Sequence, residues 1–241
     1  MKFSIFFPLY KDEHTVRRMI EKSQLVASQI SADWEIIVVD DGSPDRSGEI
    51  ALEMAKTIPQ LKVILHPKNL GYGAAVKTGL NVATGDFIAM TDGDDEYDVY
   101  DLLRMMDHKN SYDLMITFRY KKIYSSKRQF ISYCYNALFR RVFSVQYRDI
   151  STGLRIIRRQ VLSQIHLTSD SPFIGAEIVL KTMFLGYRVG EVGIQTFPRE
   201  FGKGQSVSLK NILATIVDLL RVRREIFSDT YQLPPNRSRN R

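Results

Sequence analysis

Phe87-Ile88-Ala89-Met90-Thr91-Asp92-Gly93-Asp94-Asp95-Glu96 is an apolar run of strand length that stops at a cluster of carboxylates. In an open α/β sheet, ligands bind just beyond the carboxyl ends of the strands. Asp92 and Asp94 flank a glycine, so two hard oxygen ligands can reach one divalent cation, and Gly93 lets a ligand approach the backbone closely. Mg2+ takes one or two protein carboxylates and completes its shell with substrate phosphates and water. These residues alone fit a metal-diphosphate site, and they equally fit a solvated acidic turn, since Asp and Gly are common turn residues.

The residues upstream separate the two readings. Lys2 to Pro8 reads as a buried strand, Thr15 to Ile30 has helical spacing, and Glu35 to Val39 is a second strand ending in Asp40-Asp41-Gly42-Ser43-Pro44-Asp45. A helix to about Ile58, a strand at Leu61 to Leu65, a glycine-rich turn at Asn69 to Gly73 and a helix at Ala74 to Ala83 lead into the Phe87 strand. Strand and helix alternate four times with short connections, which predicts a doubly wound, mostly parallel sheet. Such a sheet brings Tyr10 to Glu13, Asp40 to Ser43 and Asp92 to Glu96 to one edge. Three polar strand ends on one edge favour a nucleotide site over three unrelated turns. Gly71-Tyr72-Gly73-Ala74-Ala75-Val76 lacks the third glycine of the dinucleotide fingerprint, and Gly202-Lys203-Gly204-Gln205-Ser206 is not a P-loop, so dehydrogenase and P-loop chemistry are disfavoured.

The 241 residues suffice for one large α/β domain, and a net charge of +7 points to an anionic partner. The single cysteine, Cys134, excludes an internal disulfide and is compatible with a reducing compartment. No stretch supplies the roughly 18 consecutive apolar residues of a membrane span. Between Leu114 and Arg148 there are eight Lys and Arg and no Asp or Glu, among many aromatics. A strand at Leu114 to Phe118 and an amphipathic helix at Gln129 to Val145 are predicted there. A basic, aromatic segment suits an anionic membrane interface, and would also suit nucleic acid. Further on, helices are predicted at Gly175 to Leu185 and Leu209 to Phe227, with extended chain at Ile156-Ile157 and at Arg188 to Phe197.

The chain resembles the inverting glycosyltransferases of family two. Pro8-Leu9-Tyr10-Lys11-Asp12-Glu13 is similar to that family's opening motif, and Val38-Val39-Asp40-Asp41-Gly42-Ser43-Pro44-Asp45 to its second. Asn69-Leu70-Gly71-Tyr72-Gly73-Ala74-Ala75, Gly79 to Asp86, and the Asp-x-Asp motif Asp92-Gly93-Asp94 follow in order. The second half resembles the dolichol-phosphate and polyprenyl-phosphate sugar synthases. The matching residues are Arg119-Tyr120; Arg128 with Ser132 and Asn136; Ser151-Thr152-Gly153-Leu154-Arg155; Glu177; Glu191 to Ile194; Arg199; and Gly202-Lys203-Gly204. Two segments depart from that pattern. Asp95-Glu96-Tyr97-Asp98-Val99 replaces Leu-Gln-His-Pro-Pro, and Gln205-Ser206 replaces Ser-Lys.

The resemblance implies a GT-A-type, Rossmann-like fold over residues 1–207, forming a single domain with C-terminal amphipathic helices. Residues 208–233 are expected to form a membrane- or partner-facing helix, and 234–241 a disordered basic tail. It implies metal-dependent, inverting transfer of a hexose from a GDP- or UDP-linked sugar to a polyprenyl phosphate. Pro8, Tyr10, Asp12, Val39, Asp41, Asp92, Gly93 and Arg199 would bind the nucleotide-sugar, and Asp92, Asp94 and Glu96 would hold Mg2+ or Mn2+. Asp94, Arg119, Arg128 and Glu177 would be catalytic, and Arg119, Arg128, Ser132 and Lys203 would receive the lipid phosphate. A phosphate acceptor is mostly a dianion at neutral pH and needs cations. A hydroxyl acceptor, as in polysaccharide assembly, needs a base, for which Glu177 is the candidate. The setting implied is peripheral, at the cytoplasmic face of a membrane, with room for an integral-membrane partner protein. Nucleic acid is not an expected partner, because a nucleic-acid-binding protein would leave the three carboxylate-bearing strand ends unexplained.

Overall fold

The computed structural model describes residues 1–120, 126–199, 201 and 208–228, with the backbone alone described at 126–128, 130, 131, 209 and 210. The first half is β1 (Lys2–Leu9), α1 (Val16–Ile30), β2 (Asp33–Asp40), α2 (Ser47–Ala55), β3 (Leu61–Leu65), α3 (Tyr72–Val82) and β4 (Phe87–Met90). The second half is α4 (Asp101–Met106), β5 (Leu114–Arg119), α5 (Ser126–Phe143), β6 (Arg155–Arg158), α6 (Arg159–Leu162), α7 (Ile174–Phe184), β7 (Val189–Ile194) and α8 (Leu209–Ile226). The seven strands form one sheet in the order β3-β2-β1-β4-β6-β5-β7. β6 alone runs against its neighbours; β1 to β4 are mutually parallel, as are β5 and β7.

The uninterrupted apolar runs of β1 and β2 reflect burial on both faces, the usual state of parallel strands. Side chains alternate across the sheet. Phe6, Ile37 and Val39 enter a core shared with α3, α5, α7 and α8. Ile5, Phe7, Ile36 and Val38 enter the opposite core, under α1, α2 and α4. Gly79 on α3 permits a close approach to β1, since a Cβ there would lie 2.3 Å from the ring of Phe6.

The predicted elements recur with shifted ends. α2 stops at Ala55, short of Ile58, and α3 begins at Tyr72, inside the glycine-rich turn. α5 covers Ser126–Phe143, earlier than the predicted Gln129 to Val145. α4 and α6 were not anticipated. α8 belongs to the fold: Leu219, Val222 and Ile226 are core residues.

Candidate active site

The carboxyl ends of β1, β2 and β4 do converge. Past β1 the chain turns through Lys11, whose φ is 63°, and the Asp12 carboxylate accepts from the Tyr10 amide at 3.0 Å. The Asp12 amide donates to Ser47 Oγ at 2.9 Å, which ties this turn to the start of α2. Thr15 Oγ1 donates to the Gly93 carbonyl at 2.7 Å and so fixes the acidic loop beneath β1. Gly93 is required there because a Cβ would fall 2.6 Å from Leu9 and 2.8 Å from the Pro8 carbonyl. Pro8 and Val39 are register partners with buried side chains, so only their main chain borders the site.

The acidic run divides by direction. Asp95, at φ 59°, turns to α1 and pairs with Arg18 at 2.7 Å and Lys22 at 2.9 Å. Asp92 Oδ1 accepts from the Tyr72 hydroxyl at 2.9 Å. Arg199 Nη2 lies 3.2 Å from Asp94 and 3.3 Å from Asp12, so one guanidinium from the second half of the chain bridges two strand ends. Gly153 packs against Asp92, where a Cβ would sit 2.3 Å from Oδ2. A cleft of about 260 Å³ opens beside Asp94, bordered by Arg18, Lys22, Tyr97 and Phe197. A second cleft, about 450 Å³, lies among Arg17, Glu21, Glu53 and Met54, and none of the motifs falls in it.

Charge in this cluster is under-compensated. Burial, then Asp92 and Glu96, push the Asp94 carboxyl up to about 8 against the pull of Arg199. Burial also raises Asp92, with Glu96 adding and Tyr72 opposing, and burial raises Asp12. A divalent cation beside Asp92 and Asp94 would relieve that repulsion, so these residues fit Mg2+ or Mn2+. Glu96, the expected third ligand, is buried close enough to raise both Asp92 and Asp94. Among the described residues no three Asp, Glu, His or Cys side chains are grouped to hold a metal. Glu96 is buried, its amide donating to Asp94 and its carbonyl accepting from Phe197. Two carboxylates suffice when phosphates and water complete the shell.

Three further expectations change. Asp41, assigned to the base by resemblance, accepts from the amides of Leu70 and Gly71 at 2.9 Å each and pairs with His66 Nδ1 at 2.8 Å. It therefore pins the glycine-rich turn. Glu177 is fully buried; it accepts from the Thr168 and Ser169 amides and pairs with Lys181 at 2.8 Å. Burial pushes its carboxyl up, but the Lys181, Ser169 and Thr168 hydrogen bonds outweigh this and hold it below the ordinary range. Enclosed in that way, Glu177 is held as the ion-pair partner of Lys181. Arg119 is nearly buried, donating to Asp149 at 2.7 and 2.9 Å and to Ser151 at 3.1 Å, so its charge is already matched. Ser132 lies on α5 and its carbonyl accepts from Asn136. The side chain of Arg128 and all of Lys203 lie outside the described residues.

The sequence did not disclose Tyr72, His66 or the buried Arg155. Arg155 donates to the carbonyls of Gly175 and Thr152 and lends positive charge to Asp92. Tyr72 had one signal, an aromatic between two glycines directly before a helix.

The carboxyl edge of the mostly parallel sheet thus gathers paired carboxylates and a bridging arginine, and the chain belongs to Glycosyl transferase family 2, whose model matches residues 4–165. It is similar to undecaprenyl-phosphate 4-deoxy-4-formamido-L-arabinose transferase of Pectobacterium carotovorum, 31% identical over 221 residues, covering 90% of this chain and 66% of that one. It is also similar to dodecaprenyl-phosphate galacturonate synthase of Rhizobium johnstonii, 27% identical over 227 residues, 92% of this chain and 66% of that one. The chain thus spans about two thirds of the length of these relatives. Its fold matches that of glucosyl-3-phosphoglycerate synthase from Mycobacterium tuberculosis, with TM-score 0.67, 14% identity, and coverage of 98% of this chain and 81% of that one. That protein has been crystallised with Mn2+, uridine diphosphate and phosphoglyceric acid.

Proposed function

We propose that the protein transfers a hexose from a nucleoside diphosphate-sugar to a polyprenyl phosphate, with inversion and with a divalent metal, at the cytoplasmic face of a membrane. The observation that carries the reading is the Asp92–Asp94 carboxylate pair at the sheet edge, with Arg199 bridging Asp94 to Asp12, in a chain whose similarity to polyprenyl-phosphate sugar enzymes runs through both halves. Asp94, with Asp92, would hold the metal, which when bound supplies Lewis-acid neutralisation of the leaving diphosphate. Tyr10, Asp12 and the main chain of Pro8 and Val39 border the nucleoside. Asp41 shapes the glycine-rich turn on the other side.

An acceptor phosphate oxygen attacks the anomeric carbon from the face opposite the leaving group. The carbon–oxygen bond to the diphosphate breaks, and the nucleoside diphosphate departs with the electron pair. The acceptor dianion has no proton to lose, so the step requires cations to gather two anionic substrates. Arg199, which bridges Asp12 and Asp94, would serve the donor, and Arg128 and Lys203 would receive the acceptor. The enclosure of Glu177 favours this acceptor over a sugar hydroxyl, for which a positioned base would be required. The test is nucleotide-sugar consumption with Mn2+ or Mg2+, with and without a short polyprenyl phosphate. Transfer of label to the lipid, abolished by a chelator, is the expected result. Donor hydrolysis without lipid product would overturn the acceptor assignment.

A further inference from the structure

α8 has two unlike faces. Its inner face carries Leu219, Val222 and Ile226 into the core. Both acids of the helix are also matched on the protein side: Asp218 accepts from the Ser171 amide at 3.1 Å, and Glu225 pairs with the buried Lys181 at 2.8 Å. The outer face bears Leu213, Ile216, Val217 and Leu220, which are 64, 45, 56 and 59% exposed. Their spacing of three, one and three places them in a single stripe, and Phe227, also exposed, extends it past the helix end. The exposed charges at the same end are Arg223 and Arg224, with Arg221 beside them paired to Asp218 at 3.1 Å and donating to the Thr168 carbonyl. Phe227 stacks on Phe143 with ring centroids 6.4 Å apart, so the end of α5, with Arg140 and Arg141, reaches the same corner.

Four large aliphatic side chains on one helix face do not stay open to water without reason. An apolar stripe whose exposed neighbours are all cationic complements a surface that is apolar beneath and anionic at its rim. A protein groove would impose no such single sign. We propose that the outer face of α8 docks on an anionic lipid bilayer. Leu213, Ile216, Val217 and Leu220 enter the interfacial layer, and Arg223 and Arg224 meet lipid phosphates. The purpose of this docking rests on the lipid-phosphate acceptor reading; the docking itself is measured without turnover.

The test is co-sedimentation of the full chain with vesicles of phosphatidylcholine alone and of phosphatidylcholine with phosphatidylglycerol, for the native protein and for Leu213→Glu/Val217→Glu. Both positions are exposed and outside the donor site, so the variant is expected to keep the native melting temperature. The native chain is expected to bind the anionic vesicles, and the variant about tenfold or more weakly. Added salt should weaken the native binding. Failure of the native chain to bind anionic vesicles, or equal binding by the variant, would overturn the proposal. So would a native dimer in solution that the variant dissolves, because it would assign the face to a second copy. Turnover with a short, water-soluble polyprenyl phosphate is measured in parallel. If that acceptor is never used while vesicle binding still depends on Leu213 and Val217, the reaction reading fails and the docking face stands.

Discussion

Gly153→Ala probes the site without altering any charged group. Gly153 does not have a left-handed backbone, so alanine adds no conformational strain. The new methyl would lie 2.3 Å from Asp92 Oδ2 and 2.6 Å from its Cγ, whereas ordinary contact begins at 3.4 Å. The carboxylate must therefore retreat by 1.1 Å, the difference between 3.4 and 2.3. Moving it breaks or bends the hydrogen bond from the Tyr72 hydroxyl to Oδ1. A misplacement of about 1 Å in a reacting constellation lowers rate by about a hundredfold, or about 2.7 kcal/mol of transition-state stabilisation. Overpacking at a tight contact costs about 1–3 kcal/mol of fold stability, so activity and melting temperature must be measured together. The assay is kcat/KM for donor consumption at saturating metal and acceptor, on protein shown by its melting curve to be folded. A folded variant within about threefold of the native kcat/KM would refute the claim that the Asp92 carboxylate must sit against residue 153.

The raised Asp94 carboxyl has a signed consequence. The native group titrates at about 8, the unfolded one at about 3.9. As pH rises between these values the unfolded chain binds fewer protons, and the metal-free fold loses stability. Asp94→Asn should thus gain melting temperature relative to the native metal-free protein from pH 5 to pH 8, while losing metal-dependent turnover; a constant offset across pH would contradict this. Glu177→Ala leaves Lys181 with Glu225 alone and the Thr168 and Ser169 amides without their acceptor, so stability should fall by about 1–3 kcal/mol for each buried donor left unpaired, while kcat of the folded protein stays close to native. A large loss of kcat at unchanged stability would restore Glu177 as a base. Gly79→Ala places a methyl against the Phe6 ring and should lower stability by about 1–3 kcal/mol in denaturant titration, with KM for the donor nearly constant.

The first half of the fold was legible because its signals are local. Leu61–Leu65 was read with its observed ends, and the apolar runs before Tyr10, Asp41 and Asp92 marked the strands. α4 and α6 escaped notice because six and four residues are too short to display a helical period. The reversed direction of β6 follows from how the chain returns across the sheet, which no property of Arg155–Arg158 encodes. At the site, residue types were legible and pairings were not. Arg119 looked like a cation for a phosphate, yet Asp149, thirty residues away, already matches it. Tyr72 and Asp92 are twenty residues apart and meet only once α3 packs across β1 and β2. The Glu177–Lys181 pair is four residues apart on one helix and was the one such contact that spacing alone could have suggested.

The glycine-rich turn is fastened from two directions. Asp41 holds the amides of Leu70 and Gly71 from the first half, while the Asp170 carbonyl accepts from the Gly73 amide and its carboxylate pairs with Lys77 from the second. Gly73 leaves no room for a side chain against the backbone of residue 170. Residue 170 lies beyond position 165, where the match to the family model ends. The segments before and after residue 165 are therefore not interchangeable cassettes. A chimera spliced at the family boundary would inherit a turn fitted to a neighbour it no longer has. Exchange of the following segment between such enzymes, by recombination or by design, must carry residues 168–171 along with the glycine-rich turn.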